Sequence, residues 1–273
     1  MAATEALQLA ALGHGDIPAA HALSDAVGWN QTAADWAVFF SRGRGIGFHG
    51  PGGQLIATAA ILPYGEDFGW ISMVIVQADW RRRGLARRLM GECIAMLRAD
   101  GRAALLDATP AGAQVYAGLG FVPLCGLERW DGQGGGVAHR ALPADHDALI
   151  AADADAFGAD RRFLLDDFLA RPDSAAYARG GSFLVIRAGH RALQIGPLIA
   201  AAREDTHDLL DATIASAQGR IMLDLMEPWS DLSRLLEARG FRRQRPFVRM
   251  ALGRAALPGD PAALAIAAGP EFG

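Results

Sequence analysis

Apolar positions along this chain recur with two periods, one typical of buried strands and one typical of amphipathic helices. The clearest case begins with the apolar, β-branched run from Ile71 to Val76, which predicts a buried strand. After a short turn, apolar residues recur at Leu85, Leu89 and Cys93, a spacing that places them on one face of a helix. Because such patterns alternate along the chain, the sequence predicts an α/β (α+β) fold.

The other elements are predicted from the same two periods and from the turn residues between them. Strands are expected at residues 5–13, Ala37 to Phe40, Ile46 to His49, Leu55 to Leu62, Ala103 to Leu106, Phe183 to Ile186, Leu193 to Leu198 and Ile221 to Leu225. Helices are expected from Asp16 to Gly28, Trp29 to Trp36, Ala111 to Leu119 and Thr206 to Ala217, and over the stretch that ends at Arg239. The residues from Pro258 to Gly273 are expected to pack as a short extension.

Between the central strand and its helix lie Arg81, Arg82 and Arg83, which the pattern places in the first turn of the helix. Cations are unfavourable there, because the helix dipole is positive at its start and the free N–H groups favour an anion. A phosphate or pyrophosphate bound at this turn accounts for the arginines, and Gly84 and Ala86 allow it to approach the backbone closely. The alternative, an exposed basic turn without a ligand, does not explain the small residues or the buried strand that leads in.

Composition excludes several classes of function. A net charge of −4 and a pI near 6.0 argue against a dedicated nucleic-acid binder. No apolar run reaches membrane-spanning length, so we expect a cytoplasmic protein without a membrane partner. All 26 basic residues are arginine, which excludes Schiff-base chemistry on lysine and a Walker-type lysine. The two cysteines, Cys93 and Cys125, lack the spacing of metal ligands, and we predict no metal.

Two ordered elements resemble the GNAT superfamily of acetyltransferases. The first is Arg-x-x-Gly-x-Ala after a strand, at Arg81 to Ala86, which resembles the acetyl-CoA pyrophosphate loop of that family. The second is Tyr-x-x-x-Gly-Phe, at Tyr116 to Phe121, which resembles the element that closes the cofactor site. The resemblance covers residues 1 to about 130 and implies a mixed, mostly antiparallel twisted sheet flanked by helices.

The resemblance also implies roles for individual residues, with acetyl-CoA as co-substrate. Tyr116 is expected to act as the general acid that protonates the coenzyme thiolate. The backbone of Val74 and Val76 is expected to receive the pantetheine arm, near Thr109, where many members carry asparagine. The residues expected to hold the pyrophosphate are Arg81, Arg82, Arg83, Gly84, Ala86 and Arg87.

The base that deprotonates the amine is not identified by the sequence. Glu66 and Asp67 are candidates at a strand turn, although an exposed turn without a catalytic role is favoured. Asp107 is a third candidate, with capping of the following helix as its alternative role.

The second half of the chain repeats the order of the first. The matching landmarks are Asp107, Gly120-Phe121 and Arg129-Trp130 in the first half and Asp224, Gly240-Phe241 and Arg249-Met250 in the second. The repeat departs from the pattern after its strand, because Ala200 to Thr206 contains no glycine and places acidic residues at a helix start. Leu235 or Leu236 replaces the tyrosine. We therefore predict a GNAT-like second half that has lost cofactor binding.

We predict a catalytic domain at residues 1–133, a glycine-rich linker at 134–147 and a GNAT-like domain with an extension at 148–273. The predicted activity is that of a bacterial acetyl-CoA-dependent N-acetyltransferase, in which an amine attacks directly in a ternary complex. The acceptor is an amine on a small molecule or peptide, and the oligomeric state stays open. The alternatives are a non-catalytic acyl-CoA-binding or sensing protein and a structural interaction module.

Overall fold

A computed structural model of the protein describes residues 7–138 and 141–273. The start of the strand predicted at residues 5–13, and residues 139–140 of the predicted linker, lie outside these ranges. By its internal contacts the chain divides into two compact units, Met1–Leu105 and Leu106–Gly273.

The first unit contains a sheet whose strand order follows the sequence. Its strands are β1 (Gln8–Leu12), β2 (Arg44–His49), β3 (Leu55–Tyr64), β4 (Phe68–Val76) and β5 (Ala103–Ala108), the last of which continues past the boundary. Its helices are α1 (Ile17–Ala26), α2 (Ala33–Arg42) and α3 (Leu85–Ala99). Neighbouring strands are antiparallel except β4 and β5, which are parallel and are connected through α3.

One predicted strand of this unit is wrong, because Ala37 to Phe40 lie in helix α2. The hydroxyl of Thr32 accepts a hydrogen bond from the N–H of Asp35 at 3.2 Å. The carboxylate of Asp35 in turn accepts from the N–H of Thr32 at 2.7 Å, which completes a capping box. Trp36 and Phe39, three residues apart and both fully buried, lie on the packed face of this helix. The short helix predicted to end at Trp36 is the first turn of α2.

The second unit contains a longer, mostly antiparallel sheet. Its strands are β6 (Val122–Gln133), β7 (Leu142–Pro143), β8 (Ala175–Arg179), β9 (Ser182–Ala188), β10 (Leu193–Ile199), β11 (Arg220–Met226), β12 (Arg242–Leu252) and β13 (Leu264–Ile266). Its helices are α4 (Pro110–Ala117), α5 (His146–Phe157), α6 (Arg162–Ala170), α7 (Arg203–Ser216) and α8 (Ser233–Ala238). The strand order is β12-β6-β11-β13-β10-β9-β8-β7, with β10 and β11 also paired in parallel.

Both units have mixed sheets packed against helices, which confirms the predicted fold class. Helix α3 packs on β3 and β4, and α7 packs on β8 and β9. Strand β6, which lies within the first domain predicted at residues 1–133, is hydrogen-bonded to β11 on one side and to β12 on the other. The contacts therefore divide the chain at Leu105, whereas the division predicted at residue 133 follows the sequence repeat and stays a prediction.

The capping box of α2 generates a stability prediction. Thr32→Ala removes the side-chain acceptor for the N–H of Asp35, and we expect the free energy of unfolding to fall by about 1 kcal/mol. Urea unfolding of this variant and of Thr32→Ser, which keeps the hydroxyl, measures the difference. Equal stability of the two variants would contradict the capping role.

Candidate cofactor and catalytic site

The loop between β4 and α3 has the backbone geometry of an anion site. Helix α3 begins at Leu85, with Gly84 as its N-cap in the left-handed region at φ 78°. The N–H of Arg88 bonds to the carbonyl of Gly84 at 3.0 Å, so the N–H groups of Leu85, Ala86 and Arg87 precede the helical hydrogen bonds and lack intrahelical acceptors. A left-handed residue followed by a helical one turns successive N–H groups toward a common side, which favours an anion.

The three arginines lie before the helix, which corrects their predicted placement in its first turn. Arg82 is itself left-handed, at φ 59°, so the chain turns sharply here and α3 starts only at Leu85. Arg81 donates to the carbonyl of Val76 at 3.1 Å, which fixes the loop to the end of β4. Arg83 donates to the carbonyl of Asp79 at 3.0 Å.

Two arginines of this loop remain available to a ligand. Arg82 and Arg87 are exposed, and neither has an ion-pair partner in the part of the chain that the structure describes. Arg81 and Arg83 are exposed as well, but their bonds go to backbone carbonyls rather than to carboxylates. The loop therefore combines unpaired cationic charge with unpaired N–H groups.

Strand β4 carries a β-bulge next to this loop. Thr58 lies opposite Ile75 and Ala60 lies opposite Ser72, so β4 has one residue more than β3 between these pairs. Met73 occupies the bulge in the left-handed region, at φ 55°. The fully buried hydroxyl of Thr58 donates to the carbonyl of Met73 at 2.8 Å, which holds this conformation. Sequence reasoning missed the bulge, because an apolar run such as this one carries no turn residue.

The other edge of β4 loses its partner before the bulge. The parallel ladder between β4 and β5 covers Phe68 to Trp70 and ends where Trp70 faces Leu105. Val74 and Val76, predicted to receive the pantetheine arm, lie beyond this point and are half-buried. An extended ligand arm can accept and donate hydrogen bonds along such an edge as an added strand does.

Tyr116 and Thr109 belong to the second unit and lie on the same helix, α4. The hydroxyl of Thr109 is the N-cap acceptor for the N–H of Gly112, at 3.2 Å. The Tyr116 ring is half-buried, with its centroid 6.1 Å from that of Phe121. The turn between them is closed by a hydrogen bond of 3.1 Å from the N–H of Phe121 to the carbonyl of Tyr116, with Gly120 at φ 94°.

The candidate bases differ in their surroundings. Glu66 and Asp67 are exposed in the β3–β4 turn, as the alternative without a catalytic role expects. The side chain of Asp107 is fully buried, and both its oxygens accept hydrogen bonds from Arg249, at 2.8 and 2.9 Å. Burial raises the pKa of Asp107, while the guanidinium of Arg249 acts against the rise. Asp107 does not cap α4, because Thr109 does.

Within the second unit, the region that corresponds to the open edge of β4 is filled by a strand of the chain itself. The parallel ladder of β10 and β11 ends at Ile195 and Leu223, and β13 then inserts between the two strands. Ile266 of β13 lies opposite Leu198 of β10 and Leu225 of β11. The extension predicted from Pro258 to Gly273 thus contributes a strand to the sheet interior, which the sequence did not predict.

Two further features oppose cofactor binding in this unit. Helix α7 has Glu204 and Asp205 in its first turn, and these carboxylates already complement the helix dipole. Gly196 of β10 approaches β13 so closely that a Cβ there would lie 2.0 Å from the carbonyl oxygen of Ala267. Loss of cofactor binding in the second half stays a prediction, now with a filled sheet as its support.

The described residues contain no group of three or more side chains suited to hold a metal ion. Cys93 is buried on α3, and burial raises the pKa of its thiol to about 12, as expected for a core thiol. Among the same residues, no helix is both long and apolar enough to cross a membrane.

Comparisons with known proteins match both halves of the chain. Two family models, each described as "Acetyltransferase (GNAT) domain", match residues 48–123 and residues 149–264. Together the matches cover well over half of the chain. A curated relative, the uncharacterized N-acetyltransferase YitH of Bacillus subtilis (strain 168), is 26% identical over 220 residues, which are 76% of this chain and 77% of that protein.

Solved structures share the fold over the full length. A putative acetyltransferase from Pyrococcus horikoshii superposes with a TM-score of 0.83 at 17% identity, over 100% of this chain and 98% of that chain. A tandem GNAT protein from the clavulanic acid biosynthesis pathway superposes with a TM-score of 0.62 at 15% identity, over 92% of this chain and 100% of that chain. At these identities the similarity shows the fold alone.

The bulge in β4 generates a stability prediction, which compares the buried hydroxyl of Thr58 with that of Ser72. Thr58→Val leaves the buried carbonyl of Met73 without its donor, and we expect the free energy of unfolding to fall by about 1–3 kcal/mol. Ser72→Ala is the control, because the buried Ser72 hydroxyl has no hydrogen-bond partner among the described residues and its loss should be neutral or stabilising. Urea unfolding measures both, and equal losses would contradict the role of Thr58.

Proposed function

Because the chain belongs to the GNAT acetyltransferase family, as two GNAT domains in tandem, we propose that it transfers an acetyl group from acetyl-CoA to an amine. Membership of the family makes the chain an acyltransferase. The acceptor is an amine on a small molecule or a peptide, and the reaction belongs in the bacterial cytoplasm, where acetyl-CoA is available.

The observation that carries the proposal is the loop at the start of α3. It presents the unpaired N–H groups of Leu85, Ala86 and Arg87 together with the cationic side chains of Arg82 and Arg87. A pyrophosphate is the part of coenzyme A that satisfies both, through hydrogen bonds to the backbone and charge-assisted bonds to the guanidinium groups. The pantetheine arm then extends along β4, past Val76 and Val74.

The chemistry proceeds by direct attack. The nitrogen of the neutral amine attacks the thioester carbonyl carbon, the carbon–sulfur bond breaks, and the sulfur leaves with its electron pair. The nitrogen releases its extra proton to solvent, which leaves a neutral amide. Tyr116 donates its phenolic proton to this thiolate, as its equivalent does in the family. No acyl-enzyme forms, so acetyl-CoA and the acceptor are bound at the same time. The second half binds no acetyl-CoA of its own, and each chain takes up one equivalent.

Gly84 tests the cofactor loop. Gly84→Glu places a carboxylate in the loop and a side chain at a left-handed position, so we expect acetyl-CoA affinity to fall at least about tenfold. Gly91→Glu is the matched control, because Gly91 is exposed on the same helix and a Cβ added there would have no neighbouring atom within 4 Å. Isothermal titration should give one site per chain for the wild type and for the control. Two sites would contradict the loss of binding in the second half, and no binding would overturn the loop.

Tyr116 tests catalysis as distinct from binding. Tyr116→Phe removes the proton donor, and we expect kcat to fall by about 100-fold or more while acetyl-CoA affinity is retained. The assay follows release of free coenzyme A with an equimolar panel of amino acids and polyamines as acceptors. Tyr177→Phe, which makes the same change on β8, should leave turnover unaltered. Unchanged turnover in Tyr116→Phe would exclude the general-acid role, and wild-type binding without turnover would favour an acyl-CoA-sensing protein.

A further inference from the structure

We propose that Arg249, which the sequence repeat assigns to the second half of the chain, is a positioning residue for Tyr116 and acts by holding Asp107. This inference rests on the proposed function, in which Tyr116 protonates the leaving thiolate. It gives the second half a role in the reaction even though that half binds no cofactor.

The contact between Arg249 and Asp107 is bidentate and buried. Nε of Arg249 donates to one carboxylate oxygen of Asp107 at 2.8 Å, and an Nη atom donates to the other at 2.9 Å. The side chain of Arg249 is 4% exposed and that of Asp107 is 0% exposed. A planar guanidinium on a carboxylate fixes orientation as well as distance, which a single point charge does not.

The contact acts at the start of the helix that carries Tyr116. Asp107 lies in β5, two residues before Thr109, the N-cap of α4, so its contact with Arg249 anchors the chain directly before this helix. Arg249 holds that carboxylate from β12, a strand against which α4 also packs.

The end of the same helix is fixed by the same strand. After α4 the chain enters β6, where Val122 faces Ala251 and Pro123 faces Met250 of β12. These partners directly follow Arg249 in the sequence. Helix α4 is therefore held at both ends by one short segment of β12, by a side chain at its start and by a strand ladder beyond its end.

The repeat contains a reciprocal contact that serves as an internal control. Arg129 of β6 binds Asp224 of β11 with two hydrogen bonds of 2.8 Å, and both side chains are buried. In the repeat, Asp224 matches Asp107 and Arg129 matches Arg249, so each carboxylate is held by the arginine of the other repeat. The two contacts are alike in chemistry and burial, but only Asp107 precedes a helix with a candidate catalytic residue.

Charged groups from three strands face Asp107. Arg249 on β12 and Arg129 on β6 favour its ionised form, whereas burial and the carboxylate of Asp224 on β11 disfavour it. Loss of Arg249 removes the direct partner and leaves a buried carboxyl without its bonds. The end of β5 and the cap of α4 must then rearrange to solvate it.

The test compares Arg249→Met with Arg129→Met in the full chain. We expect both variants to unfold at lower urea concentration, because each removes the arginine bound to a buried carboxylate, although Asp224 keeps a hydrogen bond of 3.2 Å from Gln194. Arg249→Met should also lower kcat by about tenfold or more, since small displacements of a catalytic group are costly, with KM for acetyl-CoA within about twofold. Arg129→Met should keep kcat within about twofold of the wild type. The assay is release of free coenzyme A with the panel of amino acids and polyamines, and Tyr116→Phe is measured alongside.

Equal losses of kcat in the two arginine variants, or no loss in Arg249→Met, would overturn the inference. If Arg249→Met does not fold, the double variant Asp107→Asn, Arg249→Gln removes both charges. A wild-type kcat in this variant would overturn the inference. A loss of kcat with KM for acetyl-CoA within about twofold would support it. An inactive wild type overturns the proposed function and the inference together. Unaltered turnover in Tyr116→Phe would overturn the general-acid role and, with it, the inference that Arg249 positions Tyr116, while the proposed acetyl transfer would stand.

Discussion

The backbone of β4 imposes the main constraint on this protein. Every N–H and C=O group taken out of water must find a partner, and β4 loses its ladder with β5 after Trp70. In the part of the chain that the structure describes, its remaining residues pair with β3 on one side only, across a bulge that Thr58 stabilises. An edge of this kind inside a sheet requires water or a ligand. The basic loop at the end of the same strand favours a ligand with a negatively charged head and an extended arm.

The second unit meets the same constraint without a ligand. There the ladder of β10 and β11 also ends early, but β13 supplies the missing strand, and Ala265, Ala267 and Ala268 of this segment are fully buried. The helix after β10 begins with carboxylates, which already complement the helix dipole. The edge occupied by β13 and the acidic start of α7 both oppose binding of a negatively charged, extended ligand in this unit. The two halves therefore differ in what can cover the strand edge: in the second half a strand of the chain covers it, whereas in the first half the edge of β4 is left to water or a ligand.

The sequence predicted those elements whose local residue pattern favours the same secondary structure that packing in the fold requires. The strand into the loop, the helix after it and the turn after Tyr116 each carry a local signal, such as a β-branched run, a helical spacing of apolar residues or a glycine that adopts positive φ. The strand assigned to Ala37 to Phe40 was wrong because a short apolar run fits a buried helix face as well as a strand. Only the capping box between Thr32 and Asp35 distinguishes the two.

Other features depend on contacts that a single sequence does not display. The positive φ of Met73 depends on a hydroxyl that lies fifteen residues earlier in the chain, on β3. Strand β13 was missed because it has only three residues, Leu264 to Ile266, in an alanine-rich stretch that follows proline and glycine. The repeat did single out Asp107, Asp224, Arg129 and Arg249. It could not show that each aspartate binds the arginine of the other repeat, since sequence similarity predicts equivalence and not pairing.

That crossed pairing has a consequence for how the strands are aligned. Arg129 lies directly opposite Asp224 in the ladder of β6 and β11. A slip of one residue would turn Arg129 to the other face of the sheet and leave the buried Asp224 without its cationic partner, at a cost of up to about 3–5 kcal/mol. A buried ion pair adds little net stability compared with well-packed apolar residues, but it penalises every register except one. In a sheet where two similar strands, β6 and β12, lie side by side, this selectivity explains why charged residues are kept at positions that apolar residues would otherwise fill.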